Sequence, residues 1–140
     1  ITMPVLREMH FGQWEGLTFD EIRKNYGDIL KLWWEKPLSM DVPGGEGLTG
    51  LVLRVIPAVR EIVERHMEEQ VVVVCHGGPV RSLIGTILSM DLNNYWRIRQ
   101  DNAALNIIDF SDWDSGILVL LNDRSHLTGD FPPRYKQNNE

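Results

Sequence analysis

The sequence predicts an α/β domain, and three observations predict it. Stretches with apolar residues at three- and four-residue spacing alternate with short β-branched runs. Hydrophobic residues make up 43% of the chain and charged residues 24%, a balance that excludes disordered and low-complexity classes. A length of 140 residues suits one domain, taken here as 1–140, and no internal repeat is visible.

Residues 1–18 are irregular, with Gly12 and Gly16 around Trp14. From Thr18 to Trp34 the apolar stripe Phe19, Ile22, Tyr26, Ile29, Leu30 and Trp33 predicts a helix. Thr18 with Glu21 three residues on forms a capping-box pair, and Pro37 stops the helix. A Pro- and Gly-rich loop follows from Pro37 to Gly50. A second helix is predicted from Leu48 to Glu68, with Leu51, Val52, Val55, Ile56, Val59, Ile62 and Val63 as its stripe. Pro57 lies inside it, so the helix either kinks or restarts there.

The run Val71–Cys75 predicts a strand buried on both faces. His76-Gly77-Gly78 leads into a third helix, Pro79 to Met90, with Pro79 in its first turn. Asn106–Phe110 and Gly116–Leu121 are two more strands, joined by a turn over Asp112–Gly116. The polar tail from Gly129 to Glu140 is expected to be loose. Three strands make a thin sheet for this class, so either another chain completes it or strands are missing at the N-terminal end.

Charge narrows the function. With 14 basic against 20 acidic residues the net charge is −6, which disfavours nucleic acid and anionic membrane as partners. A small anionic substrate would need local donors. One cysteine, Cys75, excludes a disulfide framework and a Cys-rich zinc site. No apolar run has the length of a membrane span, and a cytoplasmic location is expected. P-loop, Gly-x-Gly-x-x-Gly and Gly-x-Ser-x-Gly motifs are absent, as is metal-ligand histidine spacing, so neither a metal nor a cofactor is expected.

Two segments carry the candidate chemistry. A buried strand would deliver His76 to the carboxyl edge of the sheet, where ligands of open α/β sheets bind. The glycines allow close backbone approach, and the helix N-terminus offers free N–H groups to a phosphate. The second segment, Leu6 to Gly16, sets Glu8 and Glu15 beside Phe11 and Trp14. Either carboxylate would serve as a general acid, and composition does not separate them. Cys75 is read as a core thiol, and His66 as a surface residue.

These residues resemble a known family. Val72–Arg81 is similar to the second-histidine motif of the histidine phosphatase superfamily, which has the phosphoglycerate-mutase-like fold. Leu6–Gly16 resembles its Glu-x-x-Phe-Gly-x-Trp-Glu-Gly segment. Pro43–Gly47 with Arg54 resembles its Pro-x-Gly-Glu-Ser…Arg-Val stretch, with Gly47 in place of Ser, and Asn122–Leu127 resembles the end of the α-ribazole phosphatase branch. The resemblance implies a three-layer α/β/α fold with a mixed, mainly parallel sheet. It implies a phosphomonoester phosphatase acting through phosphohistidine without metal, with Glu8 as proton donor and His76 binding the transferring phosphoryl group. Gly77 and Asn102 are the expected substrate contacts. Arg81, one turn into the third helix, is as readily a structural ion pair.

The family's Arg-His-Gly motif, which carries the nucleophilic histidine, does not occur in these 140 residues. The chain is therefore read as the C-terminal two-thirds of such an enzyme, without its N-terminal strand and helix. The leading expectation is α-ribazole phosphatase of cobalamin assembly. A broad sugar-phosphate phosphatase and a phosphoglycerate mutase follow. If the chain is complete as given, the alternative is a non-catalytic phosphate-binding or regulatory module. Trp33, Trp34 and Trp96 permit a homodimer.

Overall fold

The computed structural model describes residues 1–127, so the predicted loose tail lies outside the described residues. Helix α1 spans Phe19–Glu35. The predicted capping box is formed: the Thr18 hydroxyl accepts the Glu21 N–H at 3.3 Å, and the Glu21 carboxylate accepts the Thr18 N–H at 2.8 Å. The helix kinks at Tyr26, whose φ of −135° lies outside the helical region. Its inward face buries Leu30 and Trp33. The ring of Trp33 meets Trp14 and Phe11 edge-on, at centroid distances of 5.9 and 6.1 Å.

Helix α2 spans Leu48–Arg65, three residues shorter than predicted. It runs through Pro57 as one helix. The proline removes an N–H that would have met the Leu53 carbonyl, but Leu53 is 70% exposed, so water is within reach of that group. Leu48, Leu51, Val55, Ala58 and Val59 of α2 form the floor of the core. Gly47 is its N-cap, and a side chain there would require the Asp41 carboxylate to move aside.

Helix α3 spans Gly77–Ile87 and buries Pro79, Ser82 and Ile84. It begins two residues before the predicted start, with His76 as N-cap, and ends three residues early. Strands β1, Leu105–Asp109, and β2, Ile117–Asp123, pair antiparallel, with Ile108 opposite Leu118 and Asp109 opposite Ile117. The register slips on both sides of Ile107, and Asn122 adopts φ +54°.

The α/β class stands, as helices plus a small sheet. The mainly parallel sheet is not assembled from the described residues, which form one antiparallel pair. Val71–Cys75 is not a doubly buried strand. It makes no ladder, and Val72 and Val74 are 88% and 91% exposed while Val71 and Val73 are 46% and 41% exposed. That alternation has the period of two a strand requires, without the partner strands that would bury it. The tryptophans also differ from expectation. Trp33 is buried, and the Trp96 indole donates to the Trp33 carbonyl at 2.7 Å, so these two rings knit α1 to the 3₁₀ turn Leu92–Arg97, while Trp34 stays exposed.

Candidate active site

Glu8 and the start of α3 are 70 residues apart in the chain and adjacent in space. The Gly78 N–H donates to both carboxylate oxygens of Glu8, each at 3.1 Å, and the Met9 N–H donates to one of them at 2.9 Å. A carboxylate on a helix N-terminus is favoured by the helix dipole. The first turn of α3 can be accounted for group by group. Gly78 bonds Glu8, Pro79 has no N–H, and Val80 donates to the His76 carbonyl. The Gly77 N–H has no acceptor among the described residues.

Glu8, His76, Gly77 and Asn102 all line one cavity of about 940 Å³. His76 is exposed, and its ring makes no hydrogen bond among the described residues. Asn102 stands in the turn before β1, also exposed. The four predicted site residues are thus brought together. His126 and Ser125 line the same cavity. Glu15 is elsewhere: it accepts from the Phe11 N–H at 3.1 Å and pairs with His10 at 3.5 Å, and it does not line the cavity that Glu8 lines. His66 pairs with Glu69 on the surface. Burial pushes the Cys75 thiol above its ordinary pKa, as befits a core thiol and not a nucleophile.

Two arginines hold the site in place, and neither role was legible in the sequence. The Arg54 guanidinium meets the Glu46 carboxylate through two nitrogens, at 2.7 and 2.8 Å. Its other donors reach the backbone carbonyls of Val5, Arg7 and Glu8. Both side chains are mostly buried. The hydrogen bond from Arg54 holds the Glu46 carboxyl below its usual pKa, against the opposing effect of burial. The Glu46 N–H also donates to the His10 carbonyl at 2.8 Å. The segment bearing Glu8 is therefore clamped on its backbone from α2. The segment around Glu46 and Arg54 resembles a family motif, but acceptors that are backbone carbonyls leave no trace in residue type.

Arg81 is not in an ion pair among the described residues. It donates to the carbonyls of Ile98 at 2.9 Å and Gln100 at 3.2 Å, and lies over the rings of Tyr95 and Trp96. A Cβ on Gly77 would stand 3.0 Å from its Nη1, so Gly77 makes room for this guanidinium beside the cavity. Beyond it, Asn122 accepts the Asp101 N–H at 2.7 Å and donates to the Asp101 carboxylate at 3.0 Å, and Asp123 holds the Ser125 hydroxyl and N–H. The Asn122–Leu127 motif is thus largely a turn device. Among the described residues no three His, Cys, Asp or Glu side chains gather as a metal ion would need, and no helix is long and apolar enough to cross a membrane.

The Glu8 carboxylate, the exposed His76 and the Gly77 N–H thus meet around one cavity. The family model of the histidine phosphatase superfamily, branch 1, matches residues 1–124. The chain belongs to that superfamily. It is 32% identical over 124 residues to phosphoserine phosphatase 1 of Hydrogenobacter thermophilus, covering 89% of this chain and 58% of that one. It is 32% identical over 131 residues to phosphoglycerate mutase-like protein 4 of Arabidopsis thaliana, covering 87% and 52%. Among solved structures, Bacillus stearothermophilus YhfR superposes with a TM-score of 0.82 at 30% identity, covering 89% of this chain and 62% of that one. A mycobacterial glucosyl-3-phosphoglycerate phosphatase, solved with inorganic phosphate, gives 0.76 at 26% identity, covering 90% and 66%. The chain spans a little over half the length of these curated relatives.

Proposed function

We propose that the protein is a metal-independent phosphomonoester phosphatase whose reaction passes through phosphohistidine. The observation that carries this reading is the junction of Glu8 with the His76–Gly78 turn, made across 70 residues of chain. The nucleophilic histidine comes from a segment outside residues 1–140. Its imidazole nitrogen attacks phosphorus, the ester oxygen departs, and Glu8 gives that oxygen a proton. Water then attacks the phosphohistidine, passes a proton back to Glu8, and releases phosphate. His76 and the Gly77 N–H donate to the equatorial oxygens, where charge must be stabilised.

Small phosphomonoesters are the substrate class, with a cytoplasmic setting. The narrower α-ribazole reading drew on Asn122–Leu127, whose side chains are largely engaged in holding Asp101 and the Ser125 turn. Relatives carry phosphoserine and glucosyl-3-phosphoglycerate in their names, so the class is the better-supported level.

The test is hydrolysis of an aryl phosphate, with chelator present, by the protein as its source produces it. His76→Ala should abolish turnover, and Glu8→Gln should slow it by ~10²–10⁴-fold, the usual worth of a general acid. Unchanged turnover in both variants would remove these residues from the site. Phosphate binding without any turnover in the parent would favour the regulatory module.

A further inference from the structure

Several segments of the chain end at one edge of the molecule. Val71–Cys75 runs into His76, and the Gln100 side chain, on the way to β1, abuts Gly77. Leu105 at the start of β1 stands opposite Asp123 at the end of β2. The turn before β1 and the turn after β2 therefore lie side by side, next to the His76–Gly78 turn. Asn102, Ala103 and Ala104 from the first, and Ser125 and His126 from the second, line the cavity that holds Glu8 and His76.

The first of these turns is strained. The Ala104 N–H reaches the Asp101 carbonyl at 3.4 Å, which closes a turn with Asn102 and Ala103 at its centre. Ala103 has φ +57°, in the left-handed region that turns normally give to glycine or asparagine. An alanine persists there only where its surroundings over-determine it, and such residues cluster at functional sites. Here the constraint centres on Asp101. Its carboxylate accepts from the Arg99 guanidinium at 3.0 Å and from the Asn122 amide at 3.0 Å, and pairs with Arg124 at 3.1 Å. Its N–H donates to Asn122 Oδ1 at 2.7 Å. Asn122 in turn leads through Asp123, which holds the Ser125 hydroxyl and N–H at 2.9 and 3.2 Å. Asp101 thus ties both turns into one piece. Asn122 does its part from behind, because it does not line the cavity.

We propose that Asp101 is a positioning residue, which with Asn122 sets the Asn102 and Ser125–His126 turns as a single polar rim for the part of the substrate beyond its phosphoryl group. The proposal rests on the phosphatase reading, which gives the phosphoryl group to Glu8, His76 and Gly77. What reaches the rim is then the departing ester group. The rim offers it an amide, a hydroxyl and an imidazole, all on exposed residues of the cavity lining. Such groups bond hydroxyls on a ligand and gain nothing from an ester group that has none. A rim of this kind works only if its two turns keep their spacing, since a small misplacement of a binding group forfeits its hydrogen bond.

Steady-state kinetics on the polypeptide as its source produces it test this with two probes. Glycerol 3-phosphate brings free hydroxyls to the rim, and phenyl phosphate brings none. Asp101→Ala and Asn122→Gly should each raise KM for glycerol 3-phosphate by ~10-fold and leave KM for phenyl phosphate within ~3-fold. Glycine is the replacement at 122 because Asn122 has φ +54°. The double variant should be no worse than either single one, because the two residues act as one device. A lower urea midpoint with neither KM changed makes Asp101 purely structural and overturns the proposal. Additive losses in the double variant overturn it too, as does an equal rise in KM for both probes, which would put the turn on the phosphoryl group. A parent that hydrolyses phenyl phosphate but not glycerol 3-phosphate has no such rim. In all these results the parent still turns over a phosphomonoester, so the phosphatase reading stands. A parent that hydrolyses neither probe removes that reading and the rim with it.

Discussion

Glu8 is held at both ends, and each end makes a separate prediction. At its carboxylate, a Cβ on Gly78 would collide with Glu8 Oε1, the mobile tip of a side chain. Gly78→Ala should therefore leave folding nearly intact, because alanine regains up to ~1 kcal/mol of helix propensity, while turnover falls as Glu8 is pushed off α3. Denaturant melts and rates on the same samples separate the two effects. At its backbone, Arg54→Met strands the Glu46 carboxylate and three carbonyls, and should cost about 3 kcal/mol in urea unfolding. Arg54→Lys should recover only part of this, since an ammonium lacks the fork that reaches Glu46 and the loop together. Acid should act on the same clamp. The folded pKa of Glu46 lies below the unfolded value, so its contribution is complete above the ordinary glutamate range near pH 4.3 and fades as pH falls through the folded pKa. Glu46→Gln should flatten that limb of the stability–pH curve.

Within the elements, local rules served well where the decisive contacts were local. The Thr18–Glu21 box, two apolar stripes and the first-turn Pro79 placed α1, α2 and α3 to within three residues at their ends. Pro57 was ambiguous in sequence because its cost depends on whether the freed Leu53 carbonyl meets water. Leu53 is an exposed residue, and the helix continues. Pro57→Ala should accordingly stabilise the fold, by about 1–3 kcal/mol in denaturant unfolding. The 3₁₀ turn Leu92–Arg97 supplies a second pH signature. Burial of Tyr95, only partly offset by Arg81, pushes its phenol up to about 12. The folded state then holds that proton more tightly than the unfolded chain does, so stability is unaffected below pH 10 and falls between pH 10 and 12. Ultraviolet titration of the three tyrosines should show one that ionises late.

Over the whole molecule, legibility ended where partners were distant or absent. Composition left Glu8 and Glu15 equal, the family resemblance pointed to Glu8, and in the structure Glu8 meets Gly78 while Glu15 meets Phe11 and His10. Val71–Cys75 had the composition of a central strand, but pairing is a property of neighbours, and its neighbours are not among the described residues. The same holds for the outer face of the hairpin, where Leu105, Ile107, Ile117, Val119 and Leu121 stand exposed together. A contiguous apolar face of that kind marks an unfilled interface. Residues 1–140 should therefore bind a hydrophobic dye, and replacing Ile117 and Val119 with Ser should weaken that binding.

The proposed phosphatase requires Glu8 and the His76–Gly78 turn to form a phosphoryl-binding site. Titration of the source polypeptide with inorganic phosphate, followed by amide and imidazole nuclear resonance, tests it most directly. The account predicts saturable shifts at His76, Gly77, Gly78 and Glu8, abolished by His76→Ala. Shifts centred instead on Arg99, Asp101 and Arg124, or none at all, would contradict it.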